Sequence, residues 1–205
     1  MPRKPRIILP GIPHHVTQRG NRRQRVFFND DGYHSYLDYL TASAKAFDFE
    51  VWSYCLMPNH IHLLIVPSTI ASLRDGMGHL HQTYALAVNR SQGWTGHLWQ
   101  GRFFSCPVEP NNAAFVARYI ELNPLRGKLC TNPREYPWSS AEIACKFSVN
   151  GKSGYSPIYA PGGTWAEYLS YDPLKDDEKS LKRLRKSVAT GRPFGSDEYI
   201  QSIGG

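Results

Sequence analysis

The sequence Met57-Pro58-Asn59-His60-Ile61-His62-Leu63-Leu64-Ile65 places a short turn and two histidines directly before a run of apolar residues. The apolar run predicts a buried strand, in which successive side chains point to opposite faces of the sheet. His60 and His62 therefore share one face, while Ile61 points into the core. Such a pair is either two structural histidines at a strand end or two neighbouring ligands for one metal ion. On its own, the pair favours the structural alternative.

The segments around this stretch alternate between strand and helix patterns. Strands at 49–56 and 60–66 are joined by so short a link that they should be antiparallel neighbours. The other predicted elements are a strand at 13–19, a helix from Asn29 or Asp30 to 47, a helix at 70–91, a strand at 98–108, and a third helix from Asn111 or Asn112 to 122. This order predicts an α+β, ferredoxin-like (RRM-like) fold with an antiparallel sheet and two helices on one face, to which the third helix is added.

Several aromatic and histidine side chains need an assignment within this scheme. His79 and His81 stand two residues apart on the second helix, so they diverge. We expect them at the surface or flank of the helix and not as metal ligands. Trp99 and Phe103 are either core residues, the interpretation we favour, or stacking surfaces for a base. Trp94 follows the second helix and is a candidate for stacking on a base.

The composition favours a polyanionic partner. The 205 residues are 41% hydrophobic and 20% charged, which allows one real core. The formal net charge is +7 and the pI is about 9.3, as in many nucleic-acid-binding proteins. No apolar run approaches membrane-spanning length, and the basic N-terminus lacks an apolar export segment. The four cysteines are scattered, which predicts reduced thiols in a cytoplasmic protein rather than disulfides or structural zinc.

Basic residues are concentrated in a loop after the first strand and in the C-terminal part of the chain. This basic loop, residues 20–25, is either a solvated turn or a phosphate-contacting hairpin. The candidate DNA contacts in it and at the end of the preceding strand are Arg19, Asn21, Arg22, Arg23 and Arg25. Arg102 is a further candidate, on a strand beside the site. Segment 173–187 is amphipathic and basic, and is either a solvated helix or a DNA contact through Arg183 and Arg185. We therefore divide the chain into a main domain of residues 1–145 and a partly helical, DNA-contacting extension of residues 146–205.

Tyr119 and Asn123 form the second half of the candidate site. They are four residues apart on the predicted third helix, so they share a face, one turn from each other. If this face lies over His60 and His62, two imidazoles and an amide oxygen make a partial shell for Mg²⁺ or Mn²⁺ with positions left open for a phosphate. The Tyr119 phenol would then be the nucleophile. Each residue also has a structural explanation, Tyr119 in the core and Asn123 as a helix C-cap.

Three motifs in the same order resemble the REP-associated tyrosine transposases, which belong to the HUH single-tyrosine transposases of bacterial insertion sequences. They are residues 57–64, Gly96-His97-Leu98-Trp99-Gln100-Gly101-Arg102-Phe103, and Arg118-Tyr119-Ile120-Glu121-Leu122-Asn123-Pro124-Leu125-Arg126. The similarity runs from about residue 10 to 140, and the turn at 190–195 matches the family's tail more weakly. The resemblance implies a ferredoxin-like catalytic domain at 1–145 with Mg²⁺ or Mn²⁺ as cofactor. By position, His60, His62 and Asn123 would be the metal ligands and Tyr119 the nucleophile.

The resemblance also implies a substrate and a setting. The substrate would be single-stranded DNA carrying repetitive extragenic palindrome (REP) hairpins, bound sequence-specifically and cleaved near the hairpin foot to leave a 5′-phosphotyrosine. The protein would be a bacterial, cytoplasmic, nucleoid-associated enzyme that works as a monomer or homodimer, with no membrane or small-molecule partner. Two alternatives stay open. One is a non-catalytic single-stranded nucleic-acid-binding protein, and the other is a zinc hydrolase built on the His-x-His pair.

Overall fold

Four strands form the sheet on which the rest of the molecule is built. The computed structural model describes residues 5–146, 158, 160–170 and 178–203. The strands are β1 (His14–Arg19), β2 (Phe49–Met57), β3 (His60–Pro67) and β4 (Phe104–Pro107). They pair antiparallel in the order β2-β3-β1-β4. The helices are α1 (Asp30–Phe47), α2 (Ile70–Gln92), α3 (Ala113–Glu121), α4 (Asn123–Arg126), α5 (Ala141–Lys146), α6 (Trp165–Ser170), α7 (Glu178–Thr190) and α8 (Asp197–Ile203).

Helices α1 and α2 cover one face of the sheet, and local sequence explains where each begins. The Asn29 side chain accepts a hydrogen bond from the Gly32 amide, which caps α1. Thr69 and Ser72 cap α2 reciprocally through side chain and backbone. Both helices share one apolar cluster with Ile61 of the sheet. The predicted α+β, ferredoxin-like fold is confirmed.

The opposite face of the sheet carries the histidines and is covered by α3 and by C-terminal residues. His60 pairs with Arg19 and His62 with Thr17 across the β1–β3 ladder, so these side chains share that face. A second apolar cluster joins sheet residues to Val116 and Ile120 of α3. Trp165, Leu169 and Leu184 from the C-terminal helices belong to the same cluster. Residues from both parts of the predicted domain division therefore share one core.

Three predictions about local structure need correction. The strand predicted at 98–108 is regular only over β4, and Arg102 precedes it. Before β4, the backbone of Trp99 makes a single bridge to Gly20, and its indole Nε1 donates to the His81 carbonyl on α2. His81 is buried, not at the surface, since its ring is enclosed by aromatic side chains and its Nε2 lies 3.2 Å from the Tyr36 hydroxyl.

The predicted end of the third helix agrees with the structure, and the C-terminal part is described only in part. Helix α3 ends just before Asn123-Pro124, as predicted, but the proline then opens the short helix α4, where its missing N–H costs nothing. The basic segment 173–187 overlaps helix α7 from residue 178 onward. Residues 171–177 lie outside the described residues, as do 147–157 and 159 of the Gly-, Ser- and Pro-rich stretch. No helix in the part of the chain that the structure describes is long and apolar enough to span a membrane.

Candidate active site

His60 and His62 lie at the start of β3 and line a cavity of about 330 Å³ on the α3 side of the sheet. Their ring centroids are 5.0 Å apart. Tyr119 of α3 lines the same cavity, and its ring centroid is 6.2 Å from that of His62. The structure thus brings together the two imidazoles and the phenol that the sequence proposed as a site.

Each histidine has its Nδ1 atom engaged by a neighbouring side chain. His60 Nδ1 is 2.6 Å from Asn59 Oδ1, and His62 Nδ1 is 2.9 Å from Nε2 of the buried His15. Neither Nε2 atom has a hydrogen-bond partner among the described residues. Histidines that bind metals commonly use one ring nitrogen for the ion and the other for an orienting partner. The hydrogen bonding of both rings therefore fits metal binding through Nε2.

The electrostatic environment keeps both imidazoles uncharged. Burial, assisted by the positive charge of Arg19, lowers the pKa of His60 to about 4. Burial also lowers the pKa of His62 well below its ordinary value, and the charges of Arg19 and Arg126 act in the same direction. A neutral imidazole offers a lone pair to a metal ion. Within the described residues no three His, Cys, Asp or Glu side chains converge on a common point.

Tyr119 is half-buried and held between the histidine face and a cation. Its ring makes an edge contact with His15 at a centroid distance of 5.8 Å. The guanidinium carbon of Arg126 lies 4.5 Å from the centroid of the phenol ring, and Arg126 Nη1 donates to the Tyr119 carbonyl at 2.7 Å. A guanidinium in this position would stabilise a negative charge on the phenol.

Asn123 lies one turn beyond Tyr119, as predicted, but its amide is turned into the helix end. Its Nδ2 donates to the carbonyls of Tyr119 at 2.9 Å and Ile120 at 3.1 Å. These bonds use only the nitrogen of the amide, and Oδ1 has no hydrogen-bond partner in the described part of the chain. Asn123 does not line the cavity with the histidines. Its role as a metal ligand stays a prediction.

The basic loop packs directly against the turn that carries the histidines. Arg22, Arg23 and Arg25 are exposed, and Asn21 is half-buried. Arg22 and Arg23 both have left-handed backbone conformations, with φ of 51° and 62°, which are uncommon for residues other than glycine. Arg19 is exposed and lines the active-site cavity.

The remaining predicted DNA contacts lie in different places. Arg185 of α7 lines the active-site cavity opposite the sheet. Arg183 points elsewhere, since its Nη2 donates to the Gly195 carbonyl at 2.8 Å and to Asp197 at 3.2 Å. Arg102 is exposed beside α2, where it lines a separate cavity of about 760 Å³. The structure therefore groups Arg19 and Arg185 with Tyr119, and leaves Arg183 and Arg102 away from it.

Comparison with known proteins agrees with this arrangement. A family model described as "Transposase IS200 like" matches residues 10–123, which is more than half of the chain. The chain belongs to the IS200-like transposases. The family resemblance inferred from the three motifs is confirmed. No curated protein matches this IS200-like transposase.

Solved structures that match this IS200-like transposase include two transposase-related proteins. A REP-associated tyrosine transposase bound to a REP hairpin superposes with a TM-score of 0.61 at 16% identity, over 86% of this chain and 98% of that chain. At this identity the match shows a shared fold. A Deinococcus radiodurans R1 protein, provisionally described as a transposase, matches with a TM-score of 0.40 at 21% identity, over 58% of this chain and 95% of that chain. This TM-score is too low to indicate a shared fold.

Sequence reasoning overlooked three side chains that support the site of this IS200-like transposase. They are His15, Asn59 and Arg126. Alternation along the predicted strand at 13–19 places His15 on the same face as Thr17 and Arg19. Asn59 and Arg126 lay inside the quoted motifs, but no local pattern indicated what either would contact.

Proposed function

We propose that this protein is a metal-dependent single-strand DNA endonuclease and strand transferase that acts on REP-type hairpins, with Tyr119 as nucleophile. One observation carries the proposal: Tyr119, His60 and His62 of a single chain line one cavity. A non-catalytic nucleic-acid binder would give these three side chains no common purpose. Because one chain supplies all three, a monomer suffices to assemble the site.

The reaction follows from the position of the phenol. The Tyr119 hydroxyl oxygen attacks a DNA phosphorus, a new O–P bond forms, and the bond from phosphorus to the 3′-oxygen breaks. The phenolic proton is lost, and the departing 3′-oxygen takes up a proton to become a hydroxyl. The 5′ end stays attached to Tyr119 as a phosphotyrosine, so a later attack by another 3′-hydroxyl rejoins the strand. Arg126 stabilises the phenolate as it forms, because its guanidinium lies 4.5 Å from the ring centroid.

His60 and His62 would hold the metal through their Nε2 atoms. Asn123 Oδ1 would be the third ligand once its side chain turns from the helix end toward the cavity. The bound ion supplies Lewis-acid polarisation of the phosphate and stabilises the leaving oxygen. Mg²⁺ and Mn²⁺ both favour oxygen ligands, which Asn123 and the DNA phosphate would add to the two imidazoles. The hydrogen bonds of His15 and Asn59 orient the two rings for this role.

Positively charged residues on both sides of the cavity would guide the strand to Tyr119. Arg19 lies at its floor and Arg185 at its cover, while the exposed arginines of the basic loop continue the positive surface. A similar fold is known in a transposase bound to a REP hairpin, which supports a hairpin as the substrate here. We propose that the enzyme acts in the bacterial cytoplasm on nucleoid DNA.

An end-labelled hairpin tests the proposal. The protein is incubated with Mn²⁺ and a single-stranded oligonucleotide that carries a REP-type hairpin and its flanking bases. A 3′-labelled strand should become attached to the protein and survive denaturation, while a 5′-labelled strand should appear as a free fragment with a 3′-hydroxyl. A scrambled strand that cannot form the hairpin serves as control. Tight hairpin binding without any adduct would contradict the proposal and favour a non-catalytic binder.

A further inference from the structure

Asn59 connects the histidine pair to the basic loop through both ends of its side-chain amide. Its Oδ1 lies 2.6 Å from Nδ1 of His60, and its Nδ2 donates to the carbonyl of Arg23 at 3.1 Å. No other side chain in the described residues bonds to both a histidine of the pair and the basic loop.

The chemistry of these groups fixes the orientation of the amide. The carbonyl of Arg23 can only accept a hydrogen bond, so the Asn59 NH₂ group must face it. The opposite orientation would place two acceptor oxygens against each other. Asn59 Oδ1 is then the atom that faces His60, and since it too can only accept, Nδ1 of His60 must carry the proton. In a neutral ring this leaves the lone pair on Nε2, the atom that would bind the metal.

The loop and the turn before β3 are also joined along their backbones. The Gly20 amide donates to the Asn59 carbonyl at 2.9 Å, and the Val26 amide donates to the Pro58 carbonyl at 2.9 Å. A Cβ at Gly20 would lie 2.3 Å from the Gln24 carbonyl oxygen, so this close packing requires glycine. Backbone hydrogen bonds therefore tie the loop to the residue before His60.

The left-handed backbone of the loop relates phosphate binding by its arginines to the contact with Asn59. Arg22 and Arg23 carry exposed cationic side chains on a backbone with φ of 51° and 62°. The same loop conformation presents the Arg23 carbonyl to Asn59. A nucleic-acid phosphate bound by these arginines would favour this conformation over alternatives with relaxed backbone angles.

We propose that Asn59 is a positioning residue that couples the basic loop to His60, so that phosphate binding at the loop and metal binding at His60 strengthen each other. This inference rests on the proposed function, because it takes His60 as a metal ligand and the loop as a DNA contact. Coupling between two sites is reciprocal, so each ligand must raise the affinity of the other by the same factor.

Two variants separate the two halves of the amide. Asn59→Asp keeps an acceptor for His60 Nδ1 but removes the donor to Arg23, and Asn59→Ala removes both. Asn89→Ala is the matched control, since Asn89 Nδ2 also donates to a loop carbonyl, that of Gly96 at 3.0 Å, far along α2. The first measurement is the ¹⁵N spectrum of the His60 ring in metal-free protein. Wild type, Asn59→Asp and Asn89→Ala should show the proton on Nδ1, and Asn59→Ala should show a mixture of tautomers.

The second measurement is Mn²⁺ affinity by titration calorimetry, with and without a hairpin oligonucleotide. In metal-binding proteins, loss of an orienting partner costs roughly 10- to 100-fold in metal affinity, and we expect such a loss in Asn59→Ala. For each variant, the ratio of the Mn²⁺ affinity with the hairpin to that without it measures the coupling. DNA oxygens that ligate Mn²⁺ directly raise this ratio equally in wild type and in every variant. This ratio should be at least about fivefold smaller in Asn59→Asp than in wild type.

The outcomes distinguish the inference from the function on which it rests. An unchanged His60 tautomer in Asn59→Ala, or an unchanged coupling ratio in Asn59→Asp, would overturn the role of Asn59 and leave the proposed function standing. Wild-type protein that binds no Mn²⁺, with or without the hairpin, would overturn the proposed function and the coupling together.

Discussion

His15 Nε2 lies 2.9 Å from Nδ1 of His62, and the His15 ring is completely buried between the sheet and α3. The two residues are 47 positions apart in the sequence, on the adjacent strands β1 and β3. This hydrogen bond orients the His62 ring with Nε2 available to the cavity. His15 therefore orients the ring of His62, as Asn59 orients the ring of His60.

Replacing His15 should weaken metal binding. His15→Ala removes the partner of His62 Nδ1, so we expect Mn²⁺ affinity to fall by roughly 10- to 100-fold. His15→Gln keeps an acceptor of similar reach and should recover part of this loss. Titration calorimetry with Mn²⁺ measures the effect, and His79→Ala, at an exposed position on α2, is the control. Equal Mn²⁺ affinity in His15→Ala and wild type would show that His15 serves packing alone.

Acid should destabilise the protein through its buried neutral histidines. Burial lowers the pKa of His81 to about 3, whereas a histidine in the unfolded chain titrates near 6.5. Between these values the unfolded chain binds a proton that the folded protein excludes, so the free energy of unfolding falls as the pH falls. The slope is up to about 1.4 kcal/mol per pH unit for each such histidine.

The contribution of His81 can be isolated by difference. Glu121, whose pKa is raised to about 7 by burial, shifts stability in the opposite direction, so wild type and variant must be compared at each pH. Urea unfolding of His81→Gln from pH 4 to 7.5 should show a shallower pH dependence than wild type. His79→Gln should match wild type. An identical slope in all three proteins would mean that His81 has the same pKa in the folded protein as in the unfolded chain.

Arg185 and Arg183 should differ in their contribution to DNA binding, although both were candidates in the sequence. Arg185 lines the active-site cavity, whereas Arg183 is bonded to Gly195 and Asp197. Arg185→Gln should weaken hairpin binding and reduce the slope of log affinity against log salt by roughly one. Arg183→Gln should leave that slope unchanged and lower thermal stability slightly. Fluorescence-anisotropy titrations measure the slope. A reduced slope in Arg183→Gln and an unchanged slope in Arg185→Gln would show that the DNA does not follow the cavity.

Arg126 should affect the chemical step rather than binding. Arg126→Met removes the guanidinium over the Tyr119 ring but keeps an unbranched side chain. We expect adduct formation to slow by roughly 10-fold, the size of a partly buried cation–π contact. Arg126→Lys should recover part of the rate because it restores the charge. Single-turnover kinetics at saturating protein measure the rate, and a wild-type rate in Arg126→Met would exclude the guanidinium from the reaction.

The sequence was sufficient to predict the features that depend on local periodicity. Strand alternation placed His60 and His62 on one face, and helical spacing placed Asn123 one turn from Tyr119. The order of elements then predicted the ferredoxin-like sheet.

Features that depend on contacts between distant segments could not be predicted in this way. The pairings of His15 with His62 and of Asn59 with Arg23 arise only when β1, β3 and the basic loop meet. The prediction for His81 was wrong because the buried face of α2 is wider than the apolar stripe of the helix indicates. The polar ring of His81 is accommodated there by the hydroxyl of Tyr36. The position of Arg185 over the cavity likewise depends on how α7 packs back on the sheet.

The attachment of DNA to Tyr119 is the central claim, and mass spectrometry of the protease-digested adduct tests it most directly. Protein treated with Mn²⁺ and a REP-type hairpin oligonucleotide should yield a peptide whose Tyr119 carries a 5′-phosphate-linked nucleotide, and Tyr119→Phe should yield none while binding the hairpin normally. An adduct on another residue, or an adduct that persists in Tyr119→Phe, would contradict the account.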